Sequence, residues 1–379
     1  MLYYPSAELD NVTHTLVGAT LARAAFDRSG RGTTVALLLA SNAPDVDIVA
    51  AAGGTLNYLA WHRGPTHGPL GVVGLGTLVA LIVWAAQRTV GAPRASGQPR
   101  ASLRTLMAAS TIGVLGHVLM DLPTSYGTRL LSPFDWHWYG VDLMPIVDVY
   151  LWTALIGGLL VGRRQPARRA TAALAVLGLL VANYGVRAIA HERALTTSRQ
   201  ALGPVLPSDC PDAVTPSRID WWPREAAAER RERATRRCLV EVAAIPTFFS
   251  PFRWHAVLRL SDSYQTFDLD LLDRTLEARG RANGADAPWR QSRRYPDQWT
   301  PAALLAARGP VGQVFLDFSR FPATRSVLGD DRVVTVRWTD LRFAHTSRPP
   351  PLNERGNSFF TATVVVSASG RIATERLGE

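Results

Sequence analysis

Apolar residues are spread very unevenly along the 379-residue chain. Six apolar runs crowd its first half: Val12–Asp27, Thr33–Ala52, Pro69–Ala86, Thr105–Leu122, Leu143–Gly162 and Ala170–Ala190. A membrane-crossing helix needs about 20 mostly apolar residues. Pro69–Ala86 carries no charge at all, and the last four runs predict spans. The first two are shorter or broken, the second by the polar stretch SNAPDVD, so they read as spans or as a re-entrant or interfacial pair. After residue 200 the pattern changes. A short Arg/Glu-rich helix is predicted over Glu225–Arg237. Strand-like segments follow at Trp254–Leu260, Gln313–Phe318, Arg332–Phe343 and Ser358–Ser367, and Ser369-Gly370 turns the last into a hairpin with Arg371–Leu377. The expected fold is an α-helical multi-pass membrane bundle of about four to six helices over residues 1–195. A small β-rich extracytoplasmic domain over 196–379 completes it.

Charge sharpens this picture. The net charge is +10 and all 41 basic residues are Arg. Such a balance invites a nucleic-acid reading, but in the first half the Arg residues sit between the apolar runs. Arg23, Arg28 and Arg31 flank the first link, Arg88, Arg94, Arg100 and Arg104 the third, and Arg163, Arg164, Arg168 and Arg169 the fifth. The alternate links carry only Arg63 and Arg129. Basic residues in every second loop orient a bundle with those loops in the cytoplasm. The partner is therefore the lipid bilayer, with nucleic acid disfavoured and any protein partner of the C-terminal domain unidentified. The expected location is the inner (plasma) membrane, with the C-terminal domain outside the cytoplasm. Cys210 and Cys238 would be free to pair there. No basic segment followed by an apolar one opens the chain, so no cleavable signal peptide is expected.

Ionisable side chains within apolar runs are costly and mark function by default. Here they recur: His14 in DNVTH, Asp45 and Asp47 in SNAPDVD, His62 and His67 in HRGPTH, His117 and Asp121 in GHVLMD, then Asp142 and Asp148 in VDLMPIVD. His117 and Asp121 are four apart on one helix face and can reach one ion. Pro44 opens the backbone ahead of Asp45 and Asp47, and the Gly-Pro turn between His62 and His67 can fold both rings toward one point. Alternating orientation puts these stretches at one membrane face. Imidazole and carboxylate donors without thiolate suit one or more divalent ions, Zn first, with Mn or Fe as alternatives. The proposed ligands are His14, Asp45, Asp47, His62, His67, His117, Asp121 and Asp148. Arg63 is placed as a clamp for an anionic oxygen, and Asp45 or Asp142 as the proton acceptor. Each motif alone also has a plainer reading, as a helix cap, a polar loop or a hydrogen-bonded pair. His137, between Trp136 and Trp138, reads as an interfacial belt residue, and His191, His255 and His345 as structural.

The stretches DNVTHTLVGATLARAA, SNAPDVDIV, HRGPTHG and GHVLMDLPTSYGTRLLSPFDWHWYGVDLMPIVD together resemble the YdjM-like family of inner-membrane, metal-dependent hydrolases, sometimes labelled LexA-binding. The resemblance covers roughly residues 10–190, and Gly68 departs from it where the pattern has Ser. It implies a membrane-bound hydrolase acting on phosphoester or lipid-phosphate bonds, by analogy with helical zinc-dependent phospholipases C and single-strand nucleases. Two other classes stay open. One is a non-enzymatic membrane scaffold with a structural metal site. The other is a metal-ion transporter, which ranks last because the candidate ligands lie toward one face only.

Overall fold

The computed structural model describes residues 5–89, 99–203, 206–214, 218–223, 236–273, 292–329, 332–344 and 360–378, with side chains described from residue 11 onward. The chain divides into two compact units. One comprises Met1–Val49 and Trp61–Ala188, the other Ala50–Ala60 and Ile189–Glu379.

The first unit is helical. In chain order the helices are α1 (Pro5–Ala25), α2 (Thr33–Ala40), a 3-10 helix (Pro44–Gly53), α3 (Thr55–Trp61), α4 (Pro69–Thr89), α5 (Leu103–Asp121), α6 (Val149–Arg164) and α7 (Arg169–Ala201); residues 50–60, with all of α3 but Trp61, and α7 from Ile189 onward belong to the other unit. Among the described residues, three helical stretches are long and apolar enough to cross a membrane: α4, α5 and Pro166–Ala201. α2 and the following 3-10 helix form a pair bent by 43°, which would make a fourth. The bend falls at SNAPD, where Pro44 cannot donate to the helix ladder. The run expected over Leu143–Gly162 yields a shorter helix of 16 residues. Asp148 ends the preceding loop by capping Tyr150 and Leu151 amides, so residues 143–148 do not join the helix.

Close helix approach depends on missing side chains. A Cβ on Gly113 would stand 2.8 Å from the Ala40 Cβ, and one on Gly18 would stand 2.6 Å from the Ser41 hydroxyl. These two glycines bring α5 and α1 against the C-terminal end of α2, the small-residue packing that membrane helices favour. The ends of the unit are distinct. At one end the Arg-bearing links meet: Arg31 bridges Arg100, Gln87 donates to the Arg31 carbonyl, Arg23 to the Leu159 carbonyl at 2.6 Å, and Arg169 pairs with Asp27 at 2.8 Å. The start of α4, the end of α5 and the start of α6 lie at the other.

The second unit is rich in β-structure. After the short strands β1 (Trp138–Gly140, in the helical unit) and β2 (Asp220–Trp222) come two four-stranded antiparallel sheets. The first orders β3 (Leu239–Pro246), β4 (Arg253–Leu260), β5 (Ser263–Asp270) and β6 (Arg293–Pro296). The second orders β10 (Ile372–Leu377), β9 (Thr361–Val366), β8 (Val334–Asp340) and β7 (Pro322–Leu328). Residues of α7 from Ala190 onward pack with Leu239, Val242, Trp254 and Leu258 into the core on the first sheet. The helices α8 (Pro301–Ala306) and α9 (Pro310–Phe318) cover the second. Gln313–Phe318, expected as a strand, is thus helical. Pro310 takes the first helical position, and Val311, Phe315 and Phe318 are buried at helical, not alternating, spacing. The hairpin of β9 and β10 turns at Gly370, whose φ is +70°, where glycine carries no Cβ penalty. The predicted helix Glu225–Arg237 falls almost entirely outside the described residues, as does His345. Cys210 and Cys238 form a disulfide closing a sequence separation of 28 residues. The His191 ring lies tilted against that of Trp254, centroids 5.3 Å apart, and His255 Nδ1 pairs with Asp268 at 2.8 Å.

Candidate metal centre

His117 and Asp121 lie on consecutive turns of α5, each about 1% exposed. Because Gly113 lets α2 close in, the Ser41 carbonyl reaches His117 Nδ1 at 2.8 Å. A carbonyl only accepts, so Nδ1 carries the proton and Nε2 faces inward, where it can serve as a ligand when the ring is neutral. His67 comes from the turn that leads into α4. Its Nδ1 lies 3.0 Å from the Thr66 hydroxyl, and its Nε2 also points inward. Three donor atoms then meet. His67 Nε2 and His117 Nε2 are 3.2 Å apart, His67 Nε2 and Asp121 Oδ2 3.2 Å, and His117 Nε2 and Asp121 Oδ2 3.3 Å. The edge of a tetrahedron is about 1.63 times its centre-to-vertex length. Metal bonds near 2.0–2.1 Å therefore predict edges of about 3.3 Å. The three atoms stand where three vertices of such a polyhedron would be.

Two more residues extend the cluster. His14, on α1, stacks on the His117 ring with centroids 3.7 Å apart and places Nε2 3.4 Å from Asp121 Oδ1. Asp45, in the 3-10 helix, sets Oδ1 3.5 Å from His117 Nε2 and 3.8 Å from His67 Nε2. Two overlapping groups result, His67–His117–Asp121 and His14–Asp45–His117, each with donor atoms spaced to share an ion. Four of the five side chains are almost wholly buried, while the Asp45 side chain keeps 21% of its surface accessible.

Residues 9–194 match the YdjM inner membrane protein family. The match contains every residue of the cluster. The chain is also 24% identical over 151 residues to an uncharacterized protein, YfhP, of Bacillus subtilis (strain 168). That alignment takes in 38% of this chain and 43% of the relative, so the chain spans less than half of the relative's length. No solved structure matches the chain.

The other expected site residues of the YdjM segment fall around or away from this centre. Asp47 lies behind the ligands. Its Oδ1 is 3.2 Å from His62 Nδ1, and its Oδ2 accepts the Arg63 amide at 2.7 Å and lies 3.7 Å from His67 Nδ1. Asp47 therefore fastens the turn that carries His67, and His62 joins that carboxylate, its ring edge-on to Tyr126. Arg63 is buried with a positive φ of 51° and pairs with Asp121 Oδ1 at 3.1 Å. It also donates to the Thr124 hydroxyl and the Gly127 carbonyl. Asp148 belongs to neither donor group. Its Oδ1 caps α6, and its Oδ2 pairs with Arg187 of α7 at 2.5 Å. Asp142 is buried, with a φ of 56°, and also lies outside both groups. His137 is held by Asp135, whose carboxyl is lowered to about 2 by the Tyr139 hydroxyl and by the His137 amide and ring. Burial pushes the His67 imidazole below its ordinary range.

Sequence patterns did not mark Ser41 or Thr66, which orient His117 and His67. Their signal was position alone: each lies within a motif already carrying a carboxylate or imidazole, Ser41 in SNAPDVD and Thr66 in HRGPTH. The departure at Gly68 has a steric cause. A Cβ there would lie 1.8 Å from the Ser132 carbonyl oxygen, so the loop after α5 closes over a residue that must lack one. Gly68→Ser is expected to displace either that loop or the His67 turn, with a stability loss of about 1–3 kcal/mol or more. Thermal melting in detergent, set against metal content, checks this. An unchanged melt with unchanged metal would refute it.

Proposed function

We propose that the YdjM segment is a membrane-embedded, metal-dependent hydrolase that binds a divalent cation, Zn foremost, between His67, His117 and Asp121. The observation that carries this reading is the approach of two imidazole Nε2 atoms and a carboxylate oxygen to 3.2–3.3 Å of one another. Two ring nitrogens and a carboxylate oxygen stand that close only with a cation or proton between them, and the spacing suits a metal. His14 and Asp45 extend the donor set and make room for a second ion. A divalent cation held by these residues would supply Lewis acidity for hydrolysis of a phosphoester. Asp45, the most accessible of the carboxylates, is the residue placed to accept a proton. Arg63 holds Asp121 Oδ1 and, with Asp47, keeps the turn in register. The substrate class we assign is a phosphoester, including lipid phosphates.

The location we propose is the inner membrane, with the site at the outer face and the second unit outside the cytoplasm. Two observations support it: the Arg-rich links gather at the end opposite the ligands, and the second unit contains a disulfide. The almost complete burial of His14, His67, His117 and Asp121 favours a second reading, a scaffold around a structural metal. Metal analysis of the purified full chain followed by hydrolysis of chromogenic and lipid phosphodiesters separates the two. Bound metal with turnover that chelation removes is the expected result. Bound metal without turnover of any phosphoester supports the scaffold, and absence of metal overturns both.

A further inference from the structure

The ligand turn is joined to an apolar rim. The motif Asp45-Val46-Asp47-Ile48 alternates its side chains: Asp45 reaches the donor atoms and Asp47 the turn behind them, while Val46 and Ile48 are each 49% exposed. Trp61 opens the turn carrying Arg63 and His67 and is half exposed, its ring edge-on to Trp136 at 5.7 Å. The loop beyond α5 presents Leu131 and Phe134 outward, Phe134 being 75% exposed. This loop is bonded to the ligand turn. The Arg129 amide donates to the Arg63 carbonyl at 3.0 Å, Arg63 donates to the Gly127 carbonyl, and Gly68 touches Ser132. Arg129 is buried between the Trp136 and Trp138 rings, which stiffens the loop's base.

Depth follows from the helix ends. α4 begins at Pro69, two residues after His67, and α5 ends at Asp121. Both are long enough to cross a bilayer, so the cluster and its rim lie where the hydrocarbon gives way to headgroups. Exposed Trp with neighbouring Phe and Leu is a composition that settles in that layer. We propose that the rim of Val46, Ile48, Trp61, Leu131, Phe134 and Trp136 inserts into the headgroup–acyl boundary and seats the ligand turn there. The site then takes its substrate from the lipid phase, as an amphiphile with an anionic phosphoester head. The substrate half rests on the hydrolase reading above. The surface half stands on geometry alone.

The test uses the full chain in nanodiscs of phosphatidylethanolamine and phosphatidylglycerol. Both native cysteines are bonded to each other, so Phe134→Cys offers a single thiol for a polarity-sensitive fluorophore. Quenching by lipid spin-labelled near the headgroup, with protection from aqueous iodide, is expected. Full quenching by iodide and none by lipid would overturn the surface. In parallel, Phe134→Asp is expected to slow hydrolysis of a diacyl phosphodiester in vesicles by about tenfold, the equivalent of losing partial burial of one phenyl ring. Hydrolysis of a short water-soluble phosphodiester should be unaffected. An equal fall on both substrates, or no fall on either, overturns the lipid-phase route. If the unsubstituted protein hydrolyses neither, the hydrolase reading fails, and the quenching result still decides the surface.

Discussion

His117→Ala is expected to strip the protein of metal and of hydrolytic activity while leaving it inserted in the membrane. His117 is the one residue common to both donor groups, so its loss opens each of them at once. Its ring meets the Ser41 carbonyl, His14, His67 and the Asp45 and Asp121 carboxylates, and when the ring goes Arg63 still neutralises buried Asp121 while Asp45 keeps access to solvent. Removing outer partners of metal-binding His residues typically costs about 10–100-fold in affinity or activity, and removing a direct ligand should exceed that. Thr66→Val, which removes only the hydroxyl beside His67 Nδ1, should fall within that smaller range. Asp121→Ala should also abolish metal binding, but it is a less clean probe. Asp121 pairs with buried Arg63, and an uncompensated buried charge costs about 3–5 kcal/mol. Asp121→Asn keeps an oxygen for Arg63 and separates lost ligation from lost folding. Metal content and phosphodiesterase activity of each purified variant decide the matter, and full retention of both in His117→Ala would end the assignment.

How much of this was legible beforehand depends on whether the informative contacts were local. The pair His117 and Asp121 could be read because a helix fixes which residues share a face, and His67 because a Gly-Pro turn reverses the chain within a few residues; His62 of the same motif, expected to turn to the same point, joins Asp47 instead. The grouping of distant motifs rested on alternating Arg-rich links, a pattern that each link shows by itself. Gln313–Phe318 was misassigned because a short apolar run with Val and Phe suits either a strand or a helix. Pro310 and the 311–315–318 spacing decided it. The roles of Asp47 and Asp148 were out of reach for a different reason. A carboxylate near a helix start looks the same in sequence whether it binds an ion, caps amides or meets an arginine. Only the fold brings the Arg63 amide to Asp47 and the Arg187 guanidinium to Asp148.

Asp148→Ala is expected to destabilise the helical unit severely while leaving the ligand geometry unaltered in any molecules that fold. Arg187 is fully buried in the longest apolar helix, and its guanidinium lies 2.5 Å from Asp148 Oδ2. A charge at such depth persists only when paired. Removing the carboxylate leaves Arg187 uncompensated, at about 3–5 kcal/mol. It also removes the cap from the Tyr150 and Leu151 amides, at about 1 kcal/mol more. Asp148→Asn should restore the cap alone and recover only the smaller part. The double variant Asp148→Asn with Arg187→Met removes the stranded charge and replaces it with an apolar chain of similar reach. It should therefore recover most of the loss, since exchanging a whole buried ion pair for apolar groups is often neutral. Yield and thermal unfolding in detergent, measured with metal content, distinguish this from a ligand role. A ligand at position 148 predicts the reverse order: the double variant would fold yet hold less metal than the unsubstituted protein. A structural clamp predicts normal metal in the double variant and scarce folded protein in Asp148→Ala.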